Sequence, residues 1–320
     1  MLRIPNFQGI DFFPHGTRLN FMRFKAVCFW GSIIAMALSL GLFFFKGLNY
    51  GVDFKGGSLI EVQSKSGPAD IAAMRAKLNN LGLGSPQIQQ FGAPTDVLIR
   101  VEQQPGGDDA QQGALKKVTQ ALGDGYIQRR VEVVGPAVSA ELRRDGLYAV
   151  LGAILAIIAY VWFRFEWQFA AGTVIALTHD VLVTVGVFAL FQLEFDLSIV
   201  AALLTILGYS VNDTVVVSDR IRENLRRYKR MELNELLNLS INETLSRTIL
   251  TGMTTIAVLV CLYVFGGSVI HNFSFAMLFG VLIGTYSSIF IAAPVLDYLG
   301  IKRETVIGAK VPGISDKTEA

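Results

Sequence analysis

Six apolar runs, at residues 26–45, 146–163, 167–193, 197–218, 248–270 and 272–296, set the rhythm of this 320-residue chain. Each is near or above the roughly 18 residues that span hydrocarbon. Inside them only His179, Asp180 and Asp213 carry ionisable groups, and His271 separates the last two runs. Between the first and second runs the pattern changes to a hydrophilic stretch, residues 46–144. There, alternation predicts a strand at 58–65, and the spacing of Ile71, Met74 and Leu78 predicts a helix over 68–81. Strands follow at 87–91 and 97–101, a helix at 108–122 after the turn Pro105-Gly106-Gly107, and a last strand at 126–134. The order βαββαβ is that of the ferredoxin-like split βαβ unit.

The pattern thus predicts an α-helical polytopic membrane protein, six transmembrane helices with a small α+β ferredoxin-like domain between helices 1 and 2. The expected division is an N-terminal segment 1–23, a first helix 24–45, the α+β domain 46–144, helices two to six over 145–300 with a basic segment near 218–247, and a tail 301–320. Composition agrees, with 52% hydrophobic and 17% charged residues against the roughly 25% charged of soluble domains. The first run is longer than the h-region of a signal peptide and no small-residue cleavage site follows Phe45, so it reads as a retained anchor.

Charge sets the expected orientation, because Lys and Arg near span ends are held in the cytoplasm. Arg3, Arg18, Arg23 and Lys25 precede the first run, Arg164 follows the second, Arg220, Arg222, Arg226, Arg227, Lys229, Arg230 and Arg247 lie between the fourth and fifth, and Lys302 and Arg303 follow the sixth. Residues 192–196 and 266–272 contain neither Lys nor Arg. Both termini are therefore expected in the cytoplasm, with the α+β domain outside the cytoplasmic membrane. A net charge of +2 and the lack of a basic tract interleaved with aromatics argue against nucleic-acid binding. Cys28 and Cys261 are isolated within spans and make neither a metal site nor a disulfide framework; no cofactor is expected.

Three groups of residues carry candidate chemistry. Asp213 sits in the fourth run among Thr205, Ser210, Asn212 and Thr214, roughly 24 Å from Leu197 at 1.5 Å per residue. A carboxylate inside a span costs about 2.5 to 3.5 kcal/mol on insertion scales, so it calls for a protein interior, a partner and commonly an ion-carrying role. Arg247, at the start of the fifth run, is within reach if the two helices pack together. Burial and a nearby Arg act on a carboxyl in opposite senses, so moving the Arg would change protonation; a static ion pair that fixes helix register is the plainer alternative. His179 and Asp180, in the third span, either extend a proton path or hold helices together. Gly51, Asp53, Gly56 and Gly57 stand in GVDFKGGS, where Lys55 precedes the glycine pair; a phosphate loop requires the reverse order, and a tight reversal between helix and strand is the structural reading. No signature of ATP hydrolysis, and no enzyme activity, follows from the chain. Gly280 with Gly284, and Gly152 with Ala156, have the small-residue spacing of close helix packing, and 218–229 reads as a solvated or lipid-facing helix.

The residues 207–224, LGYSVNDTVVVSDRIREN, with GVDFKGG at 51–57, THDV at 178–181, SRTILTGMTT at 246–255 and GTYSSIFIAAP at 284–294, closely resemble the SecF family, the smaller subunits of the bacterial SecDF protein-export complex. The resemblance implies half of a resistance-nodulation-division type bundle, paired with six helices of SecD. It implies that proton flow drives the outward domains to promote preprotein translocation and release, beside the SecYEG channel, with YajC and YidC as further partners and lipid around the bundle. The family's essential Asp falls on Asp213 and its functional Arg on Arg247. Gly252 departs from the pattern, where a hydroxyl residue would be expected. Two other functions remain open, half of a lipid or small-molecule exporter of the same superfamily and a non-transporting membrane scaffold.

Overall fold

The computed structural model describes residues 19–84, 86–267 and 269–301. Arg3, His15, Arg18, Lys302 and Arg303, with the segment and tail that contain them, lie outside these. Helix α1 (Lys25–Phe45) leads through the two-residue strand β1 (Asn49–Tyr50) and the single turn α2 (Val52–Lys55) into the α+β domain. That domain comprises β2 (Gly57–Ser64), α3 (Ile71–Asn79), β3 (Gln87–Phe91), β4 (Ala93–Val101), α4 (Gly107–Leu122) and β5 (Tyr126–Val134). The remaining spans are α5 (Pro136–Arg164), α6 (Trp167–Phe191), α7 (Leu197–Arg227) and α8 (Leu233–Phe265), with the strand β6 (Glu194–Phe195) between α6 and α7. The last span is α9 (His271–Ser287), which passes through a π-helical segment (Ser288–Ala292) into α10 (Ala293–Tyr298). Six helical stretches of the described residues are long and apolar enough to cross a membrane.

The sheet runs β3-β4-β2-β5 with every neighbour antiparallel, as the split βαβ order requires. Alternation along β2 buries Ser58, Ile60 and Val62 while Leu59 and Glu61 stay half-exposed. The buried row meets Met74 and Leu78 of α3 and Val118 of α4 to form one core. Strand β4 starts at Ala93, four residues before the sequence pattern suggests, because Pro94, Thr95 and Asp96 break the apolar alternation while Ala93 still pairs with Phe91 and Asp96 with Gln63. The pairing of β1 with β6, in parallel, has no signal in the sequence: two residues per strand are too few for a period.

The bundle has an inner layer of α6, α7 and α9, with α1, α5 and α8 outside. Gly280 and Gly284 let α9 lie against α7; a Cβ at Gly280 would come within 2.3 Å of Ile206, and one at Gly284 within 3.1 Å of Ser210. Gly152 and Ala156 face outward instead and pack nothing in this chain. The expectation for 218–229 also needs correction. Helix α7 continues to Arg227 and α8 begins early, at Leu233, and the two form a hairpin whose Ile221, Leu225, Leu236, Leu237 and Ile241 join one core with Val161 of α5, Phe169 of α6 and Leu296 of α10. The apolar residues are few but share one face. In the hairpin Arg222 pairs with Glu166 and Arg220 with Glu223, and Asp219 pairs with Arg164 of α5.

Candidate functional site

Two buried clusters sit where α6, α7, α8 and α9 converge. In the first, Asp213 is held by hydroxyls from two other segments: Thr248 Oγ1 of α8 donates to Oδ1 at 2.5 Å and Ser288 Oγ of the π segment donates to Oδ2 at 2.5 Å. The carboxyl therefore faces the bundle interior. Arg247 does not form an ion pair with it among the described residues; it is exposed and acts on Asp213 only through its field. The reason is helical geometry, because Thr248, one residue on, occupies the face turned to α7 while Arg247 points about 100° away. Asn212 is likewise exposed, one residue before Asp213. Tyr209 lies one turn back on α7, and a Cβ at Gly252 would rest at ordinary contact, 3.8 Å from Thr285 Oγ1 and 3.9 Å from the Tyr209 hydroxyl.

The second cluster centres on Asp180, which is fully enclosed. Its Oδ2 accepts from Ser210 Oγ at 2.6 Å and from Ser287 Oγ at 2.8 Å, and its Oδ1 lies 3.0 Å from His179 Nδ1. Ser210 is on α7, one turn before Asp213, and Ser287 ends α9. Asp180 of α6 thus accepts from both α7 and α9, with His179 beside it, and this cluster stands one turn from the Asp213 cluster. Thr248, Ser287 and Ser288 escaped the sequence reading, and Ser210 entered it as a neighbour of Asp213, not as a partner of Asp180. The available signal was the Ser287-Ser288 doublet inside an otherwise apolar run.

A stripe of small and polar residues lies open on the outer surface beside Asp213. Ala201, Thr205, Gly208 and Asn212 of α7 and Arg247, Thr251 and Thr254 of α8 are all exposed. In hydrocarbon such a stripe is costly, and small and polar residues are what helix interfaces in membranes use.

The turn residues lie at the other end of the bundle. Gly56 and Gly57 take φ of 74° and 116°, and a Cβ on Gly57 would stand 2.4 Å from the Val101 carbonyl oxygen. Gly51 packs on Asp196 and Glu194. Asp53 Oδ2 accepts from the Leu197 N–H at 2.9 Å, at the start of α7. The single turn α2 here links β1, after α1, to β2 of the domain.

Comparison with known proteins gives a consistent set of likenesses. The family model described as "Protein export membrane protein SecD/SecF, C-terminal" matches residues 114–302, and that of the SecD/SecF GG motif matches 41–67. The protein translocase subunit SecF of Cereibacter sphaeroides is 49% identical over 303 residues, which cover 91% of this chain and 92% of that one. The protein translocase subunit SecDF of Brucella abortus is 45% identical over 299 residues, 93% of this chain but 39% of its own length. The crystal structure of SecDF from Thermus thermophilus, a translocon-associated membrane protein, superposes with a TM-score of 0.80 at 35% identity, over 89% of this chain and 39% of that one. Against these fused proteins the chain therefore spans well under half the length.

Proposed function

The chain belongs to the SecD/SecF family of protein-export membrane proteins, and from that premise we propose that it is the SecF-type half of a SecD–SecF assembly that uses the proton-motive force to promote preprotein translocation. A role in protein export follows from the family. The coupling mechanism is read from the site. Asp213 is the ion-carrying carboxyl, Thr248 and Ser288 hold it, and Arg247 changes its field when the neighbouring bundle moves. The observation that carries this reading is a carboxyl held by hydroxyls in the bundle interior, one residue from an exposed polar stripe.

That stripe is where the six helices of SecD pack, with Asn212 and Arg247 facing the partner. The bundle crosses the bacterial inner membrane with both ends in the cytoplasm and the α+β domain outside, as the basic residues of the α7–α8 hairpin favour. SecYEG supplies the channel, and YajC and YidC join the set by family resemblance. One charge crossing the membrane gains about 2.3 kcal/mol per 100 mV. Shifting a two-state equilibrium from 1:99 to 99:1 needs about 5.5 kcal/mol, so about three protons per stroke suffice at that potential.

The test is completion of a stalled preprotein's translocation in membrane vesicles after ATP is removed, with and without a proton gradient. The gradient speeds completion in the wild type and not in Asp213→Asn. An equal response in both would make Asp213 structural, as the scaffold reading requires.

A further inference from the structure

Asp180 and Asp213 stand on different helices, yet two of their hydroxyl donors are consecutive residues. Ser287 Oγ reaches Asp180 and Ser288 Oγ reaches Asp213. Each serine also has a second acceptor in its own helix. The Gly284 carbonyl oxygen lies 3.1 Å from Ser287 Oγ, and the Thr285 carbonyl oxygen lies 3.0 Å from Ser288 Oγ. Both serines are fully buried. The α-helix changes to a π-helix between them, and such π segments are rare, short and frequently found at functional sites. One and two turns earlier, Gly284 and Gly280 hold α9 close against α7.

Resting on the ion-coupling reading above, we propose that Ser287 and Ser288 form a paired hydroxyl switch that makes Asp180 and Asp213 respond to one another. As a carboxylate, Asp213 accepts from Thr248 and Ser288 together. On taking up a proton, one of its oxygens becomes a donor, and the hydroxyl that accepts from it turns its own hydrogen to another acceptor. Ser288 can turn to the Thr285 carbonyl. Thr248 has no second acceptor among the described residues. Once Ser288 donates to Thr285 instead of Asp213, its hold on α7 is reversed in direction, and the adjoining Ser287 shifts its hydroxyl from Asp180 toward the Gly284 carbonyl. Asp180 then keeps Ser210 and His179. The only species transferred is the proton that arrives at Asp213 and later leaves it; each serine retains its own.

The groups facing Asp213 are Thr248 and Arg247 of α8, Tyr209 of α7 and Ser288 of the π segment. Those facing Asp180 are His179, Ser210 and Ser287. Among the described residues the Ser287 hydroxyl hydrogen-bonds to Asp180 and the Gly284 carbonyl and to no group of the first cluster. A structural serine at 287 would therefore leave the titration of Asp213 alone, and a switch would not.

The experiment measures gradient-driven completion of translocation against pH, in vesicles holding the full SecD–SecF assembly. Variants are Ser287→Ala, Ser288→Ala, the pair together, and Ser→Thr at each position. With the switch, each Ala variant moves the midpoint of the pH profile by about half a unit or more, the Thr variants restore it, and the double variant moves it no further than the larger single one. Ser→Cys, a near-isosteric weak donor, replaces Ala if that variant does not assemble. The proposal is overturned if Ser287→Ala lowers only the amplitude, or if the two shifts add. Asp213→Asn is run alongside. If it keeps the gradient response, the ion-coupling reading fails; if it loses the response while the serine variants keep the wild-type midpoint, only the switch fails.

Discussion

At the scale of the residue, a side chain's neighbour in sequence can have the opposite fate. Asn212 and Asp213, or Arg247 and Thr248, differ by one position, and each pair divides between the open surface and the interior. Thr248→Val keeps shape and removes the hydroxyl. Hydrogen bonds to a charged group contribute about 1.5 to 3 kcal/mol, so the gradient response in the vesicle assay should fall about tenfold or more while the protein still assembles. Gly186 is a second such position, because a Cβ there would lie 2.1 Å from Ser39 Oγ and 2.9 Å from the Ser39 Cα of α1. Gly186→Ala must push α1 off α6. Overpacking of this kind typically costs about 1 to 3 kcal/mol, read as a lower thermal midpoint in detergent.

At the scale of the element, the start of α7 shows how the domain's neck and the bundle are tied. Asp196 is the N-cap, accepting from the Ile199 N–H at 3.2 Å and from the Ser198 hydroxyl at 2.5 Å. Asp53, from the one-turn helix α2, accepts from the Leu197 N–H at 2.9 Å. Two carboxylates at a helix N-terminus satisfy free N–H groups and face the positive end of the dipole. Asp196→Ala should cost about 1 kcal/mol. Asp53→Ala should loosen the same turn although it lies far away in sequence. Hydrogen exchange of the Leu197 and Ile199 amides reads both; no change at Leu197 in Asp53→Ala would refute the tie.

At the scale of the whole molecule, the α+β domain rests on the bundle through an ion pair between Arg100 of β4 and Glu194 of β6, beside the β1–β6 pairing. Asn272 of α9 donates to the Glu194 carbonyl at 3.4 Å. Burial raises the Glu194 carboxyl above its ordinary 4.5, and Arg100 opposes the rise. The folded state then binds more protons than the unfolded one in the window from 4.5 upward, so the contribution of this group to stability falls as pH rises through that window. Thermal midpoints of the wild type should show this downward component with rising pH, and Glu194→Gln should remove it. A slope unchanged by that substitution would assign the pH dependence elsewhere.

The sequence by itself determined the elements whose period is long enough to read. Six apolar runs specify six spans, and alternation at 58–65 with helical spacing at 68–81 and 108–122 specifies a split βαβ domain. The lone carboxylates in apolar runs marked Asp180 and Asp213, because their cost there is a property of the residue and the solvent rather than of the fold. Tertiary structure decided which groups answer them. That Thr248 rather than Arg247 meets Asp213 depends on the rotation of α8 about its axis, and that Ser287 and Ser288 divide between two carboxylates depends on the change from α to π geometry between them. The β1–β6 pairing and the Arg100–Glu194 contact join segments roughly a hundred or more residues apart, where local pattern carries no information. Patterns along a chain report which face is apolar; only packing fixes which polar atom lies opposite which.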